Sequence, residues 1–186
     1  MTAYGIENTR EIIVVLKQHT HLESSPCPGM ADAVSLPQGI CSPVATTGGV
    51  IGLDHVGYAV DNIERYLESF FRPAFAPLSI SPVVEDPIQK VRVAFARLAD
   101  GTRIELIEPI SPDSPIQRHL AQHRGGFYHL CYGVADIEAA VQRFVELRAI
   151  LVSPPVPAAA FGGRKIAFVY TPQADLIEFV EQGGSI

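Results

Sequence analysis

Short segments in which apolar residues alternate with polar ones recur along the chain from Gly52 onward. A period of two is typical of half-buried strands. Turn-forming residues separate the segments: Asp100-Gly101 indicates a hairpin in the first half, and 171–174 indicates one in the second. Besides a strand that starts each half, the pattern predicts strands over 91–98, 102–107, 165–170 and 175–180.

Helical patterns follow the first strand of each half. Asn62 and Asp136 precede these patterns, and both residue types favour the N-cap of a helix. Between the halves, Ser114 and Pro115 predict the N-cap and first turn of a shorter helix. The predicted helices are 63–71, 114–123 and 137–148.

The N-terminal part of the chain has a different composition. Segment 24–50 is rich in Pro, Ser and Gly and has no periodic apolar pattern, which is typical of a long linker. We therefore expect an N-terminal arm over 1–50 and a working domain over 51–186. Within that domain we expect modules over about 51–110 and 126–183, joined by the linker helix.

Composition excludes several classes of protein. Of the 186 residues, 47% are hydrophobic and 18% are charged, which favours a folded domain over disorder. The net charge of −6 and the absence of a basic run argue against nucleic-acid binding. Three cysteines without Cys-x-x-Cys spacing predict neither a disulfide framework nor a Cys-rich zinc site. The apolar run 12–16 is too short for a signal or membrane segment, so we expect a cytoplasmic protein without a membrane partner.

The two halves are related by an internal repeat with a period of about 74 residues. The repeat matches His55 with His129 on the first strands, and Glu105 with Glu178 on the last strands. A single His or Glu on a strand is more often only hydrogen-bonded or exposed, but recurrence at matched positions favours a shared site. A carboxylate within an apolar strand is costly unless it is paired, solvated or bound to a metal ion. Two His and two Glu suit a divalent first-row metal with open coordination positions.

Several motifs in this order resemble one branch of a known superfamily. The sequence is similar to the methylmalonyl-CoA epimerase branch of the vicinal oxygen chelate superfamily, which also contains glyoxalase I. The similarity covers about 52–181 and depends on segments 52–56, 103–109, 113–116 and 162–168, on His129, and on 176–178.

This resemblance implies an α+β fold in which two βαβββ modules form a U-shaped cleft. It implies a divalent metal ion (Co, Ni, Zn, Mn or Fe) held by His55, Glu105, His129 and Glu178. The implied activity is that of an isomerase that removes an α-proton from an acyl thioester, with Glu178 and Glu105 moving the proton. The expected partner is a small molecule such as a CoA thioester, and a homodimer stays open.

Three basic residues beside glycines are candidates for contacts with the anionic part of such a substrate. They are Arg124, Arg164 and Lys165. Surface solubility is the competing interpretation for all three.

The sequence also departs from its relatives. Some epimerases carry a further Glu on the strand that corresponds to 91–95, whereas this chain has Val91-Arg92-Val93 there. Three alternatives stay open: a glyoxalase I-type isomerase, which the pair of glutamates favours, an iron-dependent dioxygenase, and a metal-free binding protein that sequesters drugs. In a dioxygenase, Glu105 would crowd an open coordination position.

Overall fold

The computed structural model of the chain describes residues 49–182. The arm expected over 1–50 therefore lies almost entirely outside the described residues. No helix in the described part is long and apolar enough to cross a membrane.

Nine strands form one mixed sheet, which confirms the expected α+β class. The strands are β1 (Val50–Ala59), β2 (Ser79–Ile80), β3 (Val84–Asp86), β4 (Val91–Arg97), β5 (Arg103–Pro109), β6 (Gly126–Val134), β7 (Ile150–Pro157), β8 (Lys165–Tyr170) and β9 (Leu176–Glu181). Their order is β2-β4-β5-β1-β6-β9-β8-β7, and β3 pairs with β4. Strand β1 is parallel to β5 and β6 is parallel to β9, while β1 and β6 pair antiparallel. The sheet order is therefore nearly symmetric about the β1–β6 pair.

Within residues 49–182, four α-helices accompany the sheet: α1 (Ile63–Tyr66), α2 (Arg72–Phe75), α3 (Ile116–His123) and α4 (Ile137–Glu146). The predicted N-caps of two of them are confirmed. Asn62 Oδ1 accepts a hydrogen bond from the backbone N–H of Arg65, and Asp136 Oδ1 accepts one from Ala139. Each cap satisfies a backbone donor that the first helical turn leaves without a partner.

Helical structure in the first half continues beyond the predicted end at 71. A π-helical turn over Leu67–Phe71 joins α1 to α2. Pro73 lies in the first turn of α2, where its missing N–H is tolerated, and the irregular turn directly precedes it. The segment ends at Ala76, whose backbone is left-handed with a φ of 43°.

The linker helix α3 begins differently from the prediction. Its N-cap residue is Pro115, and the hydroxyl of Ser114 has no hydrogen-bond partner among the described residues. The backbone carbonyl of Ser114 instead accepts from Gln117. The Ser-Pro pair therefore marks the helix start, but the serine side chain does not cap it.

The α1 segment and α4 pack on one face of the sheet, whereas Ile116 of α3 packs against Val91, Val93 and Ile107 on the other face, where a cavity lies. Helix α4 packs against a cluster that includes Ala167 and Phe179, and the α1 segment packs against Ala94 and Leu106. The alternate residues of the same strands point to the opposite face. Glu105 of β5 points to that face, and so do the other predicted His and Glu residues.

Candidate metal centre and cavity

The register of the four central strands brings the predicted His and Glu residues together. In one row across the sheet, Glu105 on β5 pairs with Gly57 on β1, which pairs with His129 on β6. The symmetric row runs from His55 on β1 through Cys131 on β6 to Glu178 on β9. Each row therefore contributes one imidazole and one carboxylate, with a small residue between them.

The small middle residue of each row makes room for an imidazole. A Cβ atom built on Gly57 would lie 2.5 Å from Nδ1 and 2.6 Å from Nε2 of His129. A side chain at position 57 is therefore incompatible with the observed position of His129. The equivalent Cys131 is fully buried, and burial raises the pKa of its thiol.

Four donor atoms converge on one point. The two Nε2 atoms of His55 and His129 are 3.2 Å apart. Glu178 Oε2 lies 3.2 Å from the first and 2.9 Å from the second. Glu105 Oε2 lies 3.3 Å from His55 Nε2 and 3.5 Å from His129 Nε2. All four residues are buried.

Burial and opposite charges act in opposite directions on the protonation of this cluster. Burial alone would raise the pKa of Glu178, but the adjacent His129 and His55 lower it to about 2. Burial alone would lower the pKa of His55, but the negative charge of Glu105 and the hydrogen bond to Asp54 raise it. Without a metal ion, the ionised form of Glu178 is therefore stabilised by the neighbouring imidazoles.

The donor set fits a divalent metal ion. Donors bound to one first-row ion by bonds of about 2.1 Å lie about 3.0–3.4 Å from one another. The measured separations between imidazole nitrogens and carboxylate oxygens run from 2.9 to 3.5 Å. In addition, the buried Glu178 Oε2 makes no hydrogen bond within the described residues, although it lies close to both imidazoles. An atom of this kind is suited to bind a cation.

Asp54 is a neighbour of the cluster that the sequence analysis did not identify. Its Oδ1 lies 3.0 Å from His55 Nδ1 and accepts from Arg103 Nη1 at 2.7 Å. Its Oδ2 accepts from Gln182 Nε2 at 3.1 Å. Burial acts to raise the pKa of Asp54, but its hydrogen bond from His55 and the charge of Arg103 hold it below its usual range. The sequence feature that could have identified Asp54 is its place directly before a candidate histidine, as an acidic residue on an otherwise apolar strand.

The cluster lies at the floor of a cavity of about 370 Å³. Its apolar walls include Val91, Val93, Ile107, Ile116, Phe161 and Phe168. Tyr128 also faces the cavity, and burial raises the pKa of its hydroxyl to about 12. Lys90 contributes a cation to the lining and is paired with Asp113, an arrangement that the sequence analysis missed.

The three predicted substrate-binding cations lie elsewhere. Arg164 donates to the carbonyls of Phe161 and Glu181, and Lys165 pairs with Glu138 at 2.5 Å. Arg124 is the left-handed C-cap of α3 and lines a separate depression. None of the three contributes to the cavity lining around the cluster.

Comparison with known proteins identifies the family. The model of the Glyoxalase/Bleomycin resistance protein/Dioxygenase superfamily matches residues 54–168, a span that contains His55, Glu105 and His129. The chain belongs to this superfamily. The predicted resemblance to the vicinal oxygen chelate proteins is therefore confirmed.

The proteins that this chain is similar to include epimerases. The chain is 39% identical to the mitochondrial methylmalonyl-CoA epimerase of Mus musculus over 90 residues, which is 48% of this chain and about half (49%) of that enzyme. It is 31% identical to the ethylmalonyl-CoA/methylmalonyl-CoA epimerase of Cereibacter sphaeroides over 119 residues, or 63% of this chain and 87% of that enzyme.

A solved structure supports the same fold. The methylmalonyl-CoA epimerase of Mycobacterium tuberculosis superposes with a TM-score of 0.63 at 26% identity, covering 73% of this chain and 90% of that one. The nine-stranded mixed sheet is thus the fold of the superfamily, as the sequence predicted.

Proposed function

We propose that the protein is a metal-dependent epimerase. It would invert the configuration at the carbon next to the thioester carbonyl of a malonyl-type acyl-CoA such as methylmalonyl-CoA. The observation that carries this proposal is the convergence of four buried donors at the floor of an apolar cavity. The epimerase relatives support the reaction class, because the chain is 39% identical to one of them over 90 residues and 31% identical to another over 119 residues.

In this proposal His55, Glu105, His129 and Glu178 hold the metal ion. A divalent ion bound there supplies positive charge that stabilises an enolate as the α-proton leaves. The burial of all four side chains keeps water away from the donors and strengthens their electrostatic interactions.

Two of the four carboxylates that line the cavity are available for proton transfer. Asp86 accepts hydrogen bonds from the backbone N–H groups of Ile88, Gln89 and Ala159, so it is fully used in the fold. Asp113 is exposed and paired with Lys90. Glu105 and Glu178 remain, because the β4 residues that line the cavity, Val91 and Val93, have no acidic group.

Inversion requires removal of a proton from one face of the α-carbon and its return to the other. Glu178 in its ionised form takes the proton, and the C–H electron pair moves toward the thioester carbonyl. Glu105, carrying a proton at the start of the step, delivers that proton to the opposite face, which leaves Glu178 protonated and Glu105 ionised. The reverse direction exchanges the roles of the two residues. Glu105 and Glu178 lie on β5 and β9, on opposite sides of the β1–β6 pair, which supports this division of labour.

Arg124, Arg164 and Lys165 stay candidates for contacts with the CoA phosphates, which would lie outside the cavity. Each is at least partly accessible on the surface. Lys90, which lines the cavity, is a further candidate for a contact with the acyl end of such a substrate.

The test measures metal content and loss of the C2 proton of methylmalonyl-CoA in deuterated water, on metal-loaded and chelated protein. We expect exchange only with metal present. Glu178→Gln should abolish exchange, whereas Glu85→Gln, a matched change at an exposed glutamate on β3, should not. Full turnover by Glu178→Gln would contradict its assignment as a base, and metal retention by both His55→Ala and His129→Ala would contradict the site.

Glyoxalase I-type isomerisation is the second candidate, because both carboxylate positions of the cluster are Glu and both can act as bases. The hemithioacetal of methylglyoxal and glutathione is the substrate to assay. Turnover of this adduct without proton exchange from methylmalonyl-CoA would favour this candidate over the epimerase.

A further inference from the structure

We propose that Asp54 is a positioning residue that orients His55 for metal binding and makes it the more firmly held of the two histidine ligands. This inference rests on the proposed metal site, but concerns a residue outside the donor set.

The contact of Asp54 with Nδ1 fixes the orientation of the His55 ring. A carboxylate can only accept hydrogen bonds, so the contact at 3.0 Å from His55 Nδ1 places a hydrogen on that nitrogen. The other ring nitrogen, Nε2, is the one that faces Glu105, His129 and Glu178. Asp54 thereby orients the ring so that Nε2 is the nitrogen available as the ligand atom.

Asp54 itself is held from two other parts of the sheet. Arg103 on β5 and Gln182, directly after β9, both donate to its carboxylate. Its side chain is only 10% exposed and that of Arg103 is 26% exposed, so this network is partly buried, unlike a surface ion pair. Such a network, in which every acceptor oxygen has a donor, restricts the carboxylate to one orientation.

Aromatic rings complete the support of His55. The Arg103 guanidinium lies 4.5 Å from the centre of the Phe95 ring, and that ring meets the His55 imidazole edge-on at 5.4 Å. Phe161 stacks on His55 at 5.7 Å. Arg103 therefore supports the imidazole both through Asp54 and through Phe95.

The second histidine has no equivalent network. The repeat places Tyr128 at the position that matches Asp54. Nδ1 of His129 has no hydrogen-bond partner among the described residues. His129 is instead held by its close packing on Gly57. The near-symmetric sheet thus supports its two imidazoles by different means: His55 by a hydrogen bond to a carboxylate, and His129 by close packing on a glycine.

The experiment compares Co²⁺ binding by the full-length chain and its Asp54→Ala and Asp54→Asn variants, using competition with a chromophoric chelator. Loss of such a partner of a metal-ligating histidine weakens metal affinity by about 10–100-fold. We expect a loss in that range for Asp54→Ala and a smaller loss for Asp54→Asn, which keeps an acceptor oxygen but loses the charge. Asp61→Ala is the matched control, since Asp61 is an exposed aspartate paired with Arg65 on the surface.

Two further measurements separate positioning from general stability. The visible absorption of bound Co²⁺ reports ligand geometry, and we expect it to change in Asp54→Ala and to stay unchanged in Asp61→Ala. Urea unfolding of the metal-free proteins shows whether the variants fold. If Asp54→Ala does not fold, the Co²⁺ affinity and spectrum of Asp54→Asn, which has the same shape as the wild-type side chain, test the inference.

The outcomes distinguish this inference from the proposed function. If the wild-type protein binds Co²⁺ and the folded Asp54 variants bind it equally tightly with an unchanged spectrum, this inference is overturned and the metal site stands. If the wild-type protein binds no Co²⁺, the proposed function fails and this inference fails with it.

Discussion

Replacement of Gly57 by alanine tests the geometry of the site with a single methyl group. The new Cβ atom would lie 2.5–2.6 Å from both ring nitrogens of His129. Non-bonded heavy atoms prefer separations of about 3.5 Å or more, so the ring must move by roughly 1 Å. His129 cannot simply move forward, because Glu178 Oε2 lies 2.9 Å and His55 Nε2 3.2 Å from its Nε2.

The expected result is a large loss of metal binding with a moderate loss of stability. Metal sites tolerate displacements of about 0.5 Å, so a shift of twice that size removes His129 from the donor set. Overpacking of a buried position costs about 1–3 kcal/mol in free energy of unfolding. We therefore expect Gly57→Ala to fold but to lose stoichiometric binding of Co²⁺ together with proton-exchange activity.

The assay combines metal titration with urea unfolding of the metal-free protein, and the control is Gly52→Ala. Gly52 lies on the same strand, and a Cβ atom there would meet nothing within 4 Å. Any general effect of adding a methyl group to β1 is common to both variants. Wild-type metal affinity and activity in Gly57→Ala would refute the reasoning, since the ring could not then be where the structure places it.

Three further predictions concern groups outside the donor set. Asp86→Ala leaves three backbone N–H groups without their acceptor, and we expect it to lower the free energy of unfolding by about 1–3 kcal/mol in urea titrations. Asn62→Ala and Asp136→Ala each remove one N-cap, and each should cost about 1 kcal/mol in the same assay. The hydrogen bond from Lys90 lowers the pKa of Asp113 to about 2, so carboxyl NMR should show a midpoint near that value. This pair stabilises the fold above the ordinary aspartate pKa and loses its effect as pH falls through the lowered value; Lys90→Met should raise the midpoint.

Features with a local or periodic signal could be predicted from the sequence. The repeat located His55 and His129 because strand alternation puts matched residues on one face, and the N-caps at Asn62 and Asp136 depend on residues a few positions away. The close approach of His129 to Gly57 was not predicted.

Features that depend on distant contacts could not be predicted. Gln182 reaches Asp54 from 128 residues away, so no local pattern reveals this hydrogen bond. Lys165 forms an ion pair with Glu138 on α4, and only the packing of this helix on the sheet brings the two residues close. Strand β7 was not predicted because its three prolines disfavour a strand. As an edge strand it pairs only with β8, so the N–H groups that the prolines lack leave no strand on its other side without a hydrogen-bond donor.

The pairing of β1 with β6 has a consequence for separated fragments of the domain. His55 and Glu105 belong to the first half, and His129 and Glu178 belong to the second. Each half produced alone would therefore carry only two of the four donors, and would also expose the edge of its central strand. Mixing the two polypeptides should restore tight metal uptake only when they reassociate, and added metal should favour that reassociation, because binding to the joined form alone draws the equilibrium toward it.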